Sequence, residues 1–139
     1  MRLRRNVKIE LISKVPLFAG CSKAELARVA AIADEIAQPA GTELVTAGTR
    51  GREFCVLVAG DADVRGPNGR KLRTLSGGDF FGELALLLDA PRSATVTALT
   101  PVRLLVIDRI SFQRLLRDVP SIQTKVLRAL ATRLADESL

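Results

Sequence analysis

Between Thr42 and Ile107 the chain is cut by Gly48, Gly51, Gly60, Gly66, Gly69, Gly77 and Gly78 into short runs rich in Val, Leu and Thr. Strands are expected over 42–45, 53–58, 62–65, 70–75, 93–98 and 102–107. Gly66-Pro67-Asn68-Gly69 separates two of them as a turn, proline setting φ and Asn-Gly accepting positive φ. Short strands at near-regular spacing with such turns close into a sandwich or a jelly-roll-like barrel. That texture constrains the fold more than any other feature of the chain.

The flanks read as helical. Val7 to Phe18 is a short helical lead that stops near Pro16. Ser22 followed by Glu25 is a capping-box pattern, and Leu26, Val29, Ala30 and Ala33 recur at helical spacing behind it. A helix of about 14 residues is expected there, ended by Pro39-Ala40-Gly41. Asp108 then caps a helix carrying Phe112, Leu115 and Leu116, and Pro120-Ser121 open a last one with Ile122, Val126, Leu130 and Leu134. No repeat, linker or low-complexity tract interrupts the 139 residues. The expectation is a single α+β, mainly β domain over 1–139. It has a helical lead at 7–38, a jelly-roll-like β-barrel at 42–107 and two C-terminal helices at 108–137.

Composition removes several function classes. Histidine is absent, so there is no imidazole base, no Ser-His-Asp or Cys-His machinery and no histidine-ligated zinc. Cys21 and Cys55 form no C-x-x-C pair and read as reduced packing residues of a cytoplasmic protein. With no nucleophile activator and no metal cluster in view, the chain is read as not an enzyme, with no cofactor and no metal. Apolar runs such as Leu84-Ala85-Leu86-Leu87-Leu88 fall far short of the ~18 residues a membrane span needs. The basic start at Met1-Arg2-Leu3-Arg4-Arg5 lacks the apolar stretch of a secretory signal. Net charge is +6, which favours an anionic partner, although Arg2, Arg4, Arg5 and Lys8 also read as a solvated arm. Aromatic residues are 4%, without Trp or Tyr, poor material for stacking on nucleic-acid bases. The basic residues are dispersed and no recognition helix is evident, so direct nucleic-acid binding is not expected.

One stretch breaks the β pattern. Phe80-Phe81-Gly82-Glu83-Leu84-Ala85-Leu86-Leu87-Leu88 holds good helix formers opened by a glycine, and Pro91-Arg92-Ser93-Ala94-Thr95 closes it. A helical turn of this kind presents unsatisfied N–H groups to an anion. Gly82 lets a ligand approach the backbone, and Arg92 brings back a planar guanidinium suited to phosphate. Glu83 would repel a bare anion. It makes sense if the ligand also offers a hydroxyl, as a ribose does.

These two half-segments, with Val15-Pro16-Leu17-Phe18 ahead of them and glycines at Gly41, Gly48, Gly51, Gly60 and Gly78, resemble the cyclic nucleotide-binding domains. That family occurs in the catabolite activator protein, protein kinase A regulatory subunits and cyclic-nucleotide-gated channels. The resemblance covers nearly the whole chain. It implies that the inserted helix is a phosphate-binding one and that the ligand is cAMP, with cGMP open. Glu83 would accept from the ribose 2′-OH and Arg92 would pair with the cyclic phosphate. The backbone at Gly82, Leu84 and Ala85, with Ser93, would complete the cradle. The last helix would be a lid over the purine, with Arg133 facing the pocket. The sequence departs from the family after Gly48, where an acidic residue is common and Thr49 and Arg50 stand here. Homodimerisation and an attached effector domain are both left open.

Overall fold

In the computed structural model, residues 3–137 are described, with their side chains except at 133, 134, 136 and 137. The chain divides into two compact units, a helical one from residues 1–33 and 110–139 and a β one over Asp34–Arg109.

In the β unit, eight antiparallel strands form two four-stranded sheets: β1 Asp34–Gln38, β2 Glu43–Val45, β3 Glu53–Ala59, β4 Ala62–Arg65, β5 Lys71–Leu75, β6 Phe80–Phe81, β7 Thr95–Ala98 and β8 Val102–Asp108. The sheet orders are β1-β8-β3-β6 and β2-β7-β4-β5. Alternate residues meet between the sheets. Cys55 and Leu57 of β3 and Val102, Leu104 and Val106 of β8 pack with Ala62, Val64, Leu75, Val96 and Ala98 of the other sheet. Phe54, Val56, Leu105 and Ile107, on the opposite face of β3 and β8, are buried as well. This two-sided burial explains why 54–57 and 104–107 read as continuous apolar runs.

Two strands depart from the sequence reading. The helix that follows Ser22 stops at Ala31 (α2, Lys23–Ala31) instead of running toward Pro39, and Asp34–Gln38 is a strand. That segment offers one large apolar residue, Ile36, too little to hold a helical face. Pairing along β8, from Asp34↔Val106 to Gln38↔Val102, satisfies its backbone instead. The tertiary ladder overrides the local pattern. The second is Phe80–Phe81, unassigned in the sequence, which pairs with Val56 and Cys55.

The helical unit comprises α1 (Arg5–Ser13), a 3-10 turn at Pro16–Phe18, α2, α3 (Arg109–Asp118, its first residue belonging to the β unit) and α4 (Pro120–Glu137). Phe18 meets Phe112 edge-on at 6.0 Å. The capping box of α2 forms as read. The Glu25 backbone N–H donates to Ser22 Oγ at 3.2 Å, and the Ser22 N–H donates to Glu25 Oε1 at 2.7 Å. The same carboxylate accepts from Lys125 Nζ of α4. Glu25 is 8% exposed and the Lys125 side chain 32%, so this is a part-buried ion pair holding two helices remote in sequence. No helix among the described residues is long and apolar enough to cross a membrane.

The Lys125 ammonium, with hydrogen bonds from Ser121 and Ser22, lowers the Glu25 pKa from 4.5 to about 2 against the opposing cost of burial. A carboxylate whose pKa falls on folding contributes stability that is full above its unfolded value and lost as pH drops through the folded one. Stability is therefore expected to fall between pH 4.5 and about 2. This group accounts for on the order of 2–3 kcal/mol once the part-exposed lysine is discounted. Urea denaturation of Glu25→Gln across that window is expected to show a visibly flatter pH dependence; an unchanged slope would remove Glu25 from this role.

Candidate functional site

Phe81 is locked in β6 against Cys55, and the chain turns at once. Gly82 takes φ +79, ψ +18, a left-handed conformation in which a Cβ crowds the carbonyl. It opens a four-residue 3-10 turn, Glu83–Leu86, rather than an α-helix. Glu83 is half-buried, Leu84 exposed, and Ala85 and Leu86 buried beneath the turn. The Ala85 N–H donates to the Gly82 carbonyl at 3.0 Å. A phosphate drawn to that amide would compete with a bond the turn makes to itself.

Arg92 returns to this turn, and its backbone is held from the β2–β3 loop. Its N–H donates to the Thr49 carbonyl at 2.7 Å and its carbonyl accepts from the Gly48 N–H at 2.8 Å. Its side chain lies directly on two glycine backbones. A Cβ at Gly51 would come within 1.8 Å of Arg92 Nε, and one at Gly82 within 2.5 Å of Nη1. Nη2 donates to the Glu53 carbonyl at 2.5 Å. Among the described residues the buried Nε has no hydrogen-bond partner. Burial pushes the Arg92 pKa down, opposed by Cys55 and by the Glu53 charge. The Cys55 thiol is pushed up to about 12, by burial first and then by Glu53. It stays protonated and leaves the guanidinium without an anion from that side.

The structure thus brings Gly82 and Arg92 together, with Glu83 next in the chain and Ser93 exposed beside Arg92. The side chain of Arg133 lies outside the described residues. Sequence reasoning missed Gly51, whose φ is not in the left-handed region. It is required for space, and a loop glycine reads only as a turn. It also missed Asp89. Asp89 pairs with Arg50 at 3.3 Å and with Arg109 at 3.6 Å, residues far apart in the chain with no local pattern linking them.

The two sheets thus carry a glycine-opened turn against which a returning arginine rests. Residues 36–119 match the family model of the cyclic nucleotide-binding domain, and the chain belongs to that family. It is 38% identical to the cAMP-dependent protein kinase regulatory subunit of Aspergillus fumigatus over 88% of this chain and 30% of that protein. It is 36% identical to the cGMP-dependent protein kinase, isozyme 1, of Drosophila melanogaster over 94% of this chain and 18% of that one. The chain therefore spans less than a third of the length of these relatives. Among solved structures, the N-terminal domain of a transcriptional regulator from Streptomyces coelicolor A3(2) superposes with a TM-score of 0.85 at 32% identity, covering 92% of each chain.

Gly51→Ala and Gly82→Ala are expected to fail differently. At Gly51 the clash is with a movable side chain, so Arg92 swings away and affinity for a cyclic nucleotide drops by at least about tenfold, with most stability retained. At Gly82 the new Cβ also meets the Glu53 carbonyl at 2.9 Å, and left-handed strain adds about 1–2 kcal/mol. Denaturant titration beside calorimetric binding separates the two; equal stability losses would contradict the assignment.

Proposed function

We propose that this chain is a non-catalytic regulatory module that binds a 3′,5′-cyclic nucleotide, with cAMP bound at least as tightly as cGMP. The observation that carries the reading is Arg92, a buried-stem cation seated on two glycine backbones with its Nε unpartnered among the described residues. A partly desolvated cation held on backbone gains from a bound anion, and a guanidinium suits the two oxygens of a cyclic phosphate. Glu83 accepts from the ribose 2′-OH, and the backbone at Gly82, Leu84 and Ala85 with Ser93 finishes the cradle. Ser93 is short and exposed, so its one contact gives guanine little advantage over adenine. The relatives named for cAMP and for cGMP put both nucleotides in the test. In this reading residues 1–139 work as one cytoplasmic domain, α4 covers the purine as a lid with Arg133 stacked on it, and the effector is another segment or a second copy. No direct nucleic-acid contact is part of the reading.

A second reading is the sensor part of a transcription regulator. It is favoured by the match, over nearly the full length of both chains, to the Streptomyces coelicolor regulator domain. A helix-turn-helix encoded downstream of Leu139 would select it.

Arg92→Ala is expected to weaken cAMP binding at least a hundredfold by calorimetry, since losing one partner of a desolvated charge pair costs roughly 3–5 kcal/mol. Arg92→Lys is expected to recover little, because a point charge cannot form the bidentate pair. Binding of Arg92→Ala within threefold of wild type would end the phosphate assignment. Contacts made only in a closed state shift the population toward it, so amide exchange over residues 121–137 is expected to slow when cAMP is added. Unchanged exchange there would remove the lid.

A further inference from the structure

The segment between the 3-10 turn and β7 has few anchors of its own. Pro91 has no N–H to give, and Ala90 and Asp89 are exposed. Leu88 still bonds back to the Leu84 carbonyl at 2.8 Å, and Arg92 is the next residue whose N–H is held. Between them the chain is tied through Asp89. Its Oδ2 lies 3.3 Å from Arg50 Nη1, and its carbonyl accepts from the same Nη1 at 3.1 Å. Its Oδ1 lies 3.6 Å from Arg109 Nη1. The backbone of Arg50 also bridges to Pro91 of the corner itself, and the Arg109 N–H donates to the Arg52 carbonyl at 2.9 Å.

We infer that Asp89 is a positioning residue for Arg92. It clamps the entry to the Pro91-Arg92 corner onto the β2–β3 loop, and that loop supplies the Thr49 carbonyl, the Gly48 N–H and the Gly51 surface on which the guanidinium rests. Arg50 acquires a reason in this arrangement. Its positive charge is matched by Asp89 across the corner instead of by the ligand. Isolated exposed ion pairs contribute little to stability, but a carboxylate shared by two arginines and backed by a carbonyl contact is a network. Its effect is on where the corner sits rather than on whether the barrel folds. The ligand-binding half of this inference rests on the cyclic nucleotide reading; the placement of Arg92 does not.

The test uses the full chain and two variants that cut the same clamp from opposite sides, Asp89→Asn and Arg50→Gln. In ligand-free protein, the Nε–H resonance of Arg92 in a 15N correlation spectrum reads its surroundings directly. Both variants are expected to shift that resonance and speed its solvent exchange, with melting temperatures within about 2 °C of wild type, as expected for exposed pairs. Calorimetry with cAMP is expected to show about five- to tenfold weaker binding for each, and the double variant no more than about twofold worse than either, as for residues acting on one element. An Arg92 Nε–H resonance unchanged in both variants overturns the inference whatever the ligand does. A shifted resonance with cAMP affinity within twofold of wild type overturns its binding half. Wild-type protein that binds no cyclic nucleotide overturns the functional reading, and the ligand-free spectrum still decides whether Asp89 places Arg92.

Discussion

The site depends on one half-buried guanidinium seated on backbone rather than on an acidic side chain. Removing a cation from water is costly unless something replaces its hydration, and here the replacement is partial: one carbonyl at Glu53 and two bare glycine backbones. Gly51 and Gly82 are indispensable for the same reason, although one is needed for space and the other also for its left-handed backbone. The neutral Cys55 thiol adds no negative charge of its own beside Arg92. The sheet pairing of Phe81 with Cys55 aims the turn at Arg92.

The helical unit handles charge in the opposite way. Glu25 is buried with its partner already in place, joined to Lys125 and to the Ser22 cap. A satisfied pair of this kind fixes which helices meet and offers nothing to a ligand. Asp63 behaves likewise in the β unit: it is 6% exposed and held by Arg65 at 2.8 Å and Lys71 at 3.6 Å. Each of these carboxylates meets a basic side chain, whereas the Arg92 guanidinium donates to a backbone carbonyl.

Much of this was legible in the residues. The glycine-punctuated runs gave most of the strands nearly to their ends, because turn chemistry is local. The Ser22–Glu25 box was readable for the same reason. The two cassette halves pointed to Gly82, Glu83 and Arg92 through their order in the chain. What stayed hidden was non-local. Asp34–Gln38 is a strand only because β8 lies beside it. Gly51 matters only because Arg92 folds onto it, and Asp89 finds Arg50 across 39 residues. No periodicity encodes such meetings.

The Glu25–Lys125 pair spans 100 residues of sequence, and the whole β unit lies between its two halves. On polymer arguments, closing a span that long costs about 2 kcal/mol more than closing a ten-residue loop, and contacts so remote in sequence slow folding. During synthesis residues 3–33 emerge before the helices that complete their unit and wait through the synthesis of every strand. Their exposed apolar positions, Ile9, Ile12, Val29 and Phe18 among those later buried, make this interval the vulnerable stage in the life of the chain.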